Sequence, residues 1–218
     1  MSLRGRSVLI TSGPTREPLD PVRFLTNGST GAMGFALARA ALRRGARVTV
    51  VCGPVSLRPP RGALLIPVMT ALQMRRETLR RLKSSDVLIA AAAVSDWRVA
   101  RPSRRKLPKA AQGRTLRLLA NPDIVAEAAR RRKGGSPFIV GFALETHDWL
   151  EHARAKLRRK RLDLIVANRT ASMGAALTHF AVLDREGGRR LFPAMRKDDA
   201  AAAILDCLDD ARARCAAN

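Results

Sequence analysis

The sequence predicts an α/β fold: a doubly wound, mostly parallel, Rossmann-like sheet with helices on both faces, a basic flap and a C-terminal β-hairpin. Three observations carry this. Short β-branched apolar runs alternate with helical patterns along the chain. The first strand, first helix and second strand follow within about 45 residues, a βαβ unit whose parallel strands need a right-handed crossover. The 218 residues are 46% apolar, enough to bury a sizeable core and to exclude disorder as the default state. No repeat or low-complexity linker divides the chain, so 1–218 is expected to be one domain.

In order, residues 7–12 (SVLITS) form a buried strand that stops at Gly13-Pro14. A long polar loop spans 13–30. Residues 33–44 are helical, with Phe35, Leu37, Ala38 and Leu42 on one side and Gly45 as the C-terminal stop. Residues 47–52 (RVTVVC) are the second strand and 64–68 the third; 70–82 are helical and 87–92 (VLIAAA) form a buried strand. Residues 98–112, basic and with two prolines, read as a loop or flap (the flap region running to about 119), and 115–120 alternate like a hairpin strand. Asn121-Pro122-Asp123 reads as a helix start with Asn121 as cap and Pro122 at the first position, the helix running to about 132. A strand at 137–142, a helix at 148–160 and a strand at 164–167 follow. The pair 178–183 and 190–192 flanks Glu186-Gly187-Gly188 as a hairpin, and 198–213 is the closing helix.

Lys plus Arg is 41 against 18 acids, a net charge of +23. The basic residues are spread along the whole chain and no helix-turn-helix, zinc-finger or RNA-binding signature accompanies them, so nucleic acid is not the expected partner despite the charge. The absence of Tyr and the 4% aromatic content exclude a base-stacking platform. Such a field also draws in small phosphorylated anions. Cys52, Cys207 and Cys215 are odd in number and form no CxxC, which fits a reduced, cytoplasmic setting. The longest apolar runs are strand-sized, short of the ~20 residues of a membrane span. His147, His152 and His179 make no metal-ligand spacing, the first two being read onto different helix faces, and no carboxylate cluster suggests a metal held by the protein alone.

In a doubly wound sheet, ligands sit at the carboxyl ends of the strands. Five segments reach that edge or could close over it. Thr26 to Gly34 (TNGSTGAMG) opens a helix whose free N–H groups could hold a phosphate, although its glycines equally serve close helix–sheet packing. Residues 13–24 (GPTREPLDPVRF) form a proline-stiffened loop, functional or tied structurally by Arg16–Asp20 or Arg23–Glu17 pairs. Ala91 to Asp96 (AAAVSD) would let a flat ring lie on the backbone, with Asp96 free for ribose hydroxyls or a base amino group; Ser95 and Asp96 also suit an ordinary turn. Lys106 and Lys109 lie on the basic flap. Lys156 and Lys160 share a helix face, where they would either reach a triphosphate together or stay solvated. No nucleophile dyad is present.

Taken in order, the run 8–24, TNGSTGAMG, AAAVSDW at 91–97, KLPK at 106–109, NPDIV at 121–125, VGFALET at 140–146 and KLRRKRLDLIVAN at 156–168 resemble the phosphopantothenate–cysteine ligase family over about 7–210. The resemblance implies coenzyme A biosynthesis: 4′-phosphopantothenate is joined to L-cysteine through an acyl-nucleotidylate, using CTP or ATP with Mg²⁺. It implies catalytic roles for Asn27, Lys106 and Lys109, and a nucleotide pocket made by Gly13, Ala92, Ala93, Asp96, Pro122, Asp123, Ile124, Val125, Phe142, Lys156 and Lys160. It implies substrate contacts at Ser29, Thr30, Gly31 and Asn168. The first loop favours CTP. The flap departs from the bacterial Lys-x-Lys-Lys pattern at Pro108. Because the chain starts at the ligase strand, a stand-alone form without flavin is expected, and the family's habit makes a homodimer the expected assembly. Two other readings stay open: an NAD(P)-dependent oxidoreductase, disfavoured because the second strand ends in Cys52-Gly53-Pro54 with no acid, and a nucleotide binder without ligase activity.

Overall fold

The computed structural model describes residues 2–109, 115–169 and 175–217. In chain order the elements are β1 (Ser7–Ser12), β2 (Arg16–Pro18), β3 (Phe24–Thr26), α1 (Ala32–Arg43), β4 (Arg47–Cys52), β5 (Leu64–Pro67) and α2 (Ala71–Arg81). They continue with β6 (Val87–Ala90), β7 (Trp97–Val99), β8 (Leu118–Ala120), α3 (Ile124–Arg131) and β9 (Phe138–Glu145). The last are α4 (Trp149–Arg159), β10 (Leu164–Arg169), β11 (Leu177–Asp184), β12 (Arg189–Arg196) and α5 (Lys197–Ala217).

Eight strands form one sheet in the order β12-β11-β10-β9-β6-β1-β4-β5. The six from β5 to β10 are parallel, and the β11–β12 hairpin adds antiparallel strands at one edge. From β1 the chain winds outward first through β4 and β5, then returns to wind the other way through β6, β9 and β10. The reversal between β1 and β6 is the switch point at which a doubly wound sheet opens a crevice.

Side-chain alternation along the strands divides the core in two. Val8, Ile10, Val50, Ile89, Val140 and Val166 face α1 and α5, whereas Leu9, Val51, Leu88, Ile139 and Ile165 face α2, α3 and α4. Gly34 sets the closeness of α1: a Cβ there would overlap the Ser12 hydroxyl. Gly45, with φ +76°, ends α1 as predicted. A capping box between Thr70 and Gln73 starts α2.

Four readings need correction. The predicted loop 13–30 contains the short β2–β3 hairpin, and the flap is anchored by a strand, β7, paired with β8. Both were hidden by prolines and charges in strands only three residues long. The helix after Asn121 starts two residues later than predicted: Asp123 caps it, accepting from the Ala126 N–H at 3.0 Å. Asn121 instead donates its side-chain amide to the Ser95 carbonyl at 2.9 Å, and Pro122 precedes the cap. The predicted pairs across the first loop re-sort as well. Asp20 binds Arg23, Glu17 accepts the Ala71 N–H at 2.8 Å, and Arg16 lies 4.4 Å over the Phe24 ring.

Candidate active site

A two-lobed cleft opens along the carboxyl edge of the central strands. One lobe, about 380 Å³, lies on the α2–α3–α4 face. The other, about 170 Å³, lies on the α1–α5 face. Both are lined by Ala92, Ala93, Phe142 and Leu144, so the strand ends after β6 and within β9 form their common wall.

The wall is built by the first loop. Ala93 donates its N–H to the Gly13 carbonyl at 2.9 Å, while its own carbonyl accepts from the Thr15 N–H at 3.3 Å. The Asn27 side chain reaches the same carbonyl, donating from Nδ2 at 3.0 Å. Gly13 has φ +75°, and a Cβ on it would press on Val55 at 2.8 Å. It therefore holds the wall without lining either lobe. Gly53 lies so close under the Pro14 carbonyl that no Cβ fits; the end of β4, where a dinucleotide site needs an acid, is taken up by backbone packing.

The larger lobe gathers ten of the eleven predicted nucleotide residues: Ala92, Ala93, Asp96, Pro122, Asp123, Ile124, Val125, Phe142, Lys156 and Lys160. It adds Asn27, Thr11, Thr78 and Asn121. The Asp96 carboxylate makes no ion pair or side-chain hydrogen bond among the described residues and is exposed. Lys156 pairs with Glu145 at 2.5 Å and Lys160 with Asp123 at 2.9 Å, so both cations are held at the lobe with exchangeable partners. Burial pushes the Asp123 carboxyl up, but the Ala126 N–H and the Lys160 ammonium outweigh it and hold the group below its usual range. In the same lobe, Thr78 is fully buried and its hydroxyl has no hydrogen-bond partner among the described residues.

The smaller lobe brings together Ser29, Thr30, Gly31 and Asn168, the four residues for which the resemblance implies substrate contacts. Gly31 (φ +77°) precedes α1, whose cap makes no side-chain hydrogen bond. Thr178 and Lys197 also line this lobe and were missed. They carry no local sequence signal, because the β11 addition and the return of α5 bring them here from far along the chain.

Lys106 and Lys109 do not line either lobe. The described part of the flap rests on the first loop: Ser103 donates its N–H to the Leu19 carbonyl at 2.9 Å, Leu107 donates its N–H to Asp20 at 3.1 Å, and Arg23 donates to the Leu107 carbonyl at 2.8 Å. Hydrogen bonding, chiefly from Arg23, holds the Asp20 carboxyl far below its usual range. Flap residues 110–114 lie outside the described residues. His147 and His152 also differ from expectation: His147 precedes α4, and the two rings meet edge-on with centroids 5.2 Å apart. Among the described residues, no group of three or more His, Cys, Asp or Glu side chains is placed to hold a metal ion, and no helix is long and apolar enough to cross a membrane.

Residues 3–211 match the family described as DNA/pantothenate metabolism flavoprotein C-terminal domain. The chain is 45% identical over 208 residues to the coenzyme A biosynthesis bifunctional protein CoaBC of Bacillus subtilis, covering 93% of this chain and 51% of that protein. It is 49% identical over 169 residues to CoaBC of Escherichia coli K12, covering 76% and 41%. The chain thus spans about half the length of these relatives. A crystal structure of the C-terminal domain of CoaBC superposes with a TM-score of 0.81 at 33% identity, covering 94% of each chain. A Cab2 variant in complex with phosphopantothenate-cysteine superposes with a TM-score of 0.80 at 20% identity, covering 97% of this chain and 89% of that one, a likeness of fold alone.

Proposed function

The chain belongs to the DNA/pantothenate metabolism flavoprotein C-terminal domain family, and on that premise we propose that residues 1–218 act as one ligase domain joining 4′-phosphopantothenate to L-cysteine through an acyl-nucleotidylate. The observation that carries this reading is the meeting of two lobes at one wall beside Asn27. Two reactants entering from opposite faces are brought together there, and proximity supplies much of the rate.

In the larger lobe the nucleotide, CTP in preference to ATP, lays its ribose near Asp96 and its phosphates against Lys156 and Lys160. In the smaller lobe the acid substrate lies along Ser29, Thr30, Gly31 and Asn168. A carboxylate oxygen attacks the α-phosphorus, the bond to the β-phosphate breaks, and pyrophosphate leaves. The cysteine amine then attacks the acyl carbon and loses a proton, and the nucleoside monophosphate leaves with the electrons of the C–O bond. The Asn27 amide, held at the wall, donates to the acyl-phosphate. Lys106 and Lys109 act when the flap closes, and the anchored base of that flap on Asp20 supports a hinge there. On this reading Mg²⁺ would travel on the nucleotide phosphates, which Lys156 and Lys160 face, and no step is routed through it.

The same reading expects a homodimer. Val22, Phe24, Trp97, Leu118 and Leu119 are exposed on the two small hairpins, an apolar patch of the kind that marks an interface. It places the work in the cytoplasm, in keeping with three free cysteines.

The test is pyrophosphate release with 4′-phosphopantothenate and Mg²⁺, CTP against ATP, with and without cysteine. Release favouring one nucleotide, with a cysteine-dependent thiol product, is expected. Folded protein that releases none with either nucleotide would overturn the ligase reading.

A further inference from the structure

Three features converge on the smaller lobe, and two of the residues that make them, Thr178 and Lys197, played no part in the sequence reading. The Asn168 Oδ1 and Thr178 Oγ1 atoms are buried without a hydrogen-bond partner among the described residues, Thr178 being only 1% exposed. Lys197, half-buried at the same wall, makes no ion pair among the described residues. It is also the first residue of α5, where the helix dipole disfavours a cation. Asp198, the next residue, does not relieve it, because Asp198 is engaged by Arg39 at 2.6 Å. Opposite stands the start of α1, where the cap residue Gly31 makes no side-chain hydrogen bond and the Ala32 N–H has only a long one, donated to the Thr30 hydroxyl at 3.4 Å.

Buried polar atoms without partners cost stability unless something completes them. The chemistry of the donors says what does. Lys197, the Thr178 hydroxyl and the N–H groups of α1 all donate, which suits a phosphate oxygen. Asn168 Oδ1 only accepts, so it needs an N–H or O–H from the ligand. At about 170 Å³ the lobe is smaller than the ~300–1,000 Å³ that encloses a whole ligand. It therefore takes one end of a longer molecule whose other end reaches the wall at Ala92 and Ala93.

We propose that Lys197 and Thr178 bind the terminal phosphomonoester of the acid substrate, with Asn168 holding a hydroxyl or amide of its chain, so that Lys197 makes the enzyme choose the phosphorylated acid over its unphosphorylated counterpart. This rests on the ligase reading. It assigns Lys197 to substrate specificity and leaves the nucleotide to the other lobe.

The experiment compares wild type, Lys197→Met and Lys197→Arg. Calorimetry measures the binding of 4′-phosphopantothenate and of pantothenate without nucleotide, and pyrophosphate release gives KM for each acid and for the nucleotide. A thermal melt verifies folding of each variant. Lys197→Met is expected to weaken the phosphorylated acid about tenfold or more, as loss of a charge-assisted bond does, with pantothenate and nucleotide unchanged. Lys197→Arg is expected to recover most of the difference. Equal weakening of both acids, or a change confined to the nucleotide KM, would overturn the assignment. Calorimetry keeps the two readings apart: a wild type that binds the phosphorylated acid through Lys197 but releases no pyrophosphate would refute the ligase reading alone, and an active wild type whose preference survives Lys197→Met would refute this inference alone.

Discussion

Thr78→Val separates stability from function at one atom. Thr78 lies on the inward face of α2, fully buried, and its hydroxyl, which lines the larger lobe, lacks a partner among the described residues. Valine keeps the shape and removes the polar atom. A buried unsatisfied hydroxyl costs about 1–3 kcal/mol, so the substitution is expected to stabilise the ligand-free protein by about that much. Near the middle of the range, ~2 kcal/mol corresponds to a rise of roughly 4–8 °C in Tm for a chain of this size. If the hydroxyl is kept for the nucleotide, the same change removes one hydrogen bond from the complex. One bond of ~0.5–1.5 kcal/mol converts to a rise of about 2- to 12-fold in nucleotide KM. Thermal melts without ligand and pyrophosphate-release kinetics read the two effects. A variant less stable than wild type would mean that the hydroxyl is already satisfied. A more stable variant with an unchanged nucleotide KM would mean that its place in the lobe serves no ligand. Either result refutes the reasoning.

Other positions give further tests. Asn27→Ala is expected to lower kcat about a hundredfold with little change in either KM, as loss of one transition-state donor does; a KM effect without a kcat effect would count against that role. Lys160→Met leaves Asp123 unpaired and facing the phosphates, so its nucleotide KM should rise more than that of the double variant Lys160→Met/Asp123→Asn, in a coupling that kinetics at low salt will resolve. Glu77 is held down from 4.5 to about 2 by Arg81, Arg80 and Arg76. A depressed folded pKa means that its contribution is fully present above the ordinary value and is lost as pH falls from about 4.5 to about 2. The Tm advantage of wild type over Glu77→Gln should therefore shrink through that window, and a constant difference would contradict the assignment.

The central parallel strands were legible because they are buried apolar runs rich in β-branched residues, and β1 and β4 fall on the residues the pattern marks. That the residues of the larger lobe would share one cavity was legible because they come in short contiguous segments at strand and helix ends, which the doubly wound topology brings to one edge. What escaped depends on distant returns of the chain. Nothing near Thr178 or Lys197 announces that β11 turns antiparallel beside β10 and that α5 then brings its first residue back to the start of α1. The cap at Asp123 was misplaced by two residues because Asn121 is an equally good cap by type, and only the Ser95 carbonyl, brought close by β7 and β8, draws its side chain away. The three-residue strands β2, β3 and β7 are too short for any period to register, whereas β8 falls within the alternating run 115–120.

The wall made by Ala92, Ala93, Phe142 and Leu144 has a kinetic consequence. Each lobe opens on its own face of the sheet, so neither ligand has to pass through the space the other fills. Occupation of one side leaves the door of the other free, and no compulsory order of addition is imposed by shape. Initial-rate plots varying the nucleotide against the acid should intersect as they do for random entry, and a dead-end analogue of either ligand should compete with its own counterpart alone.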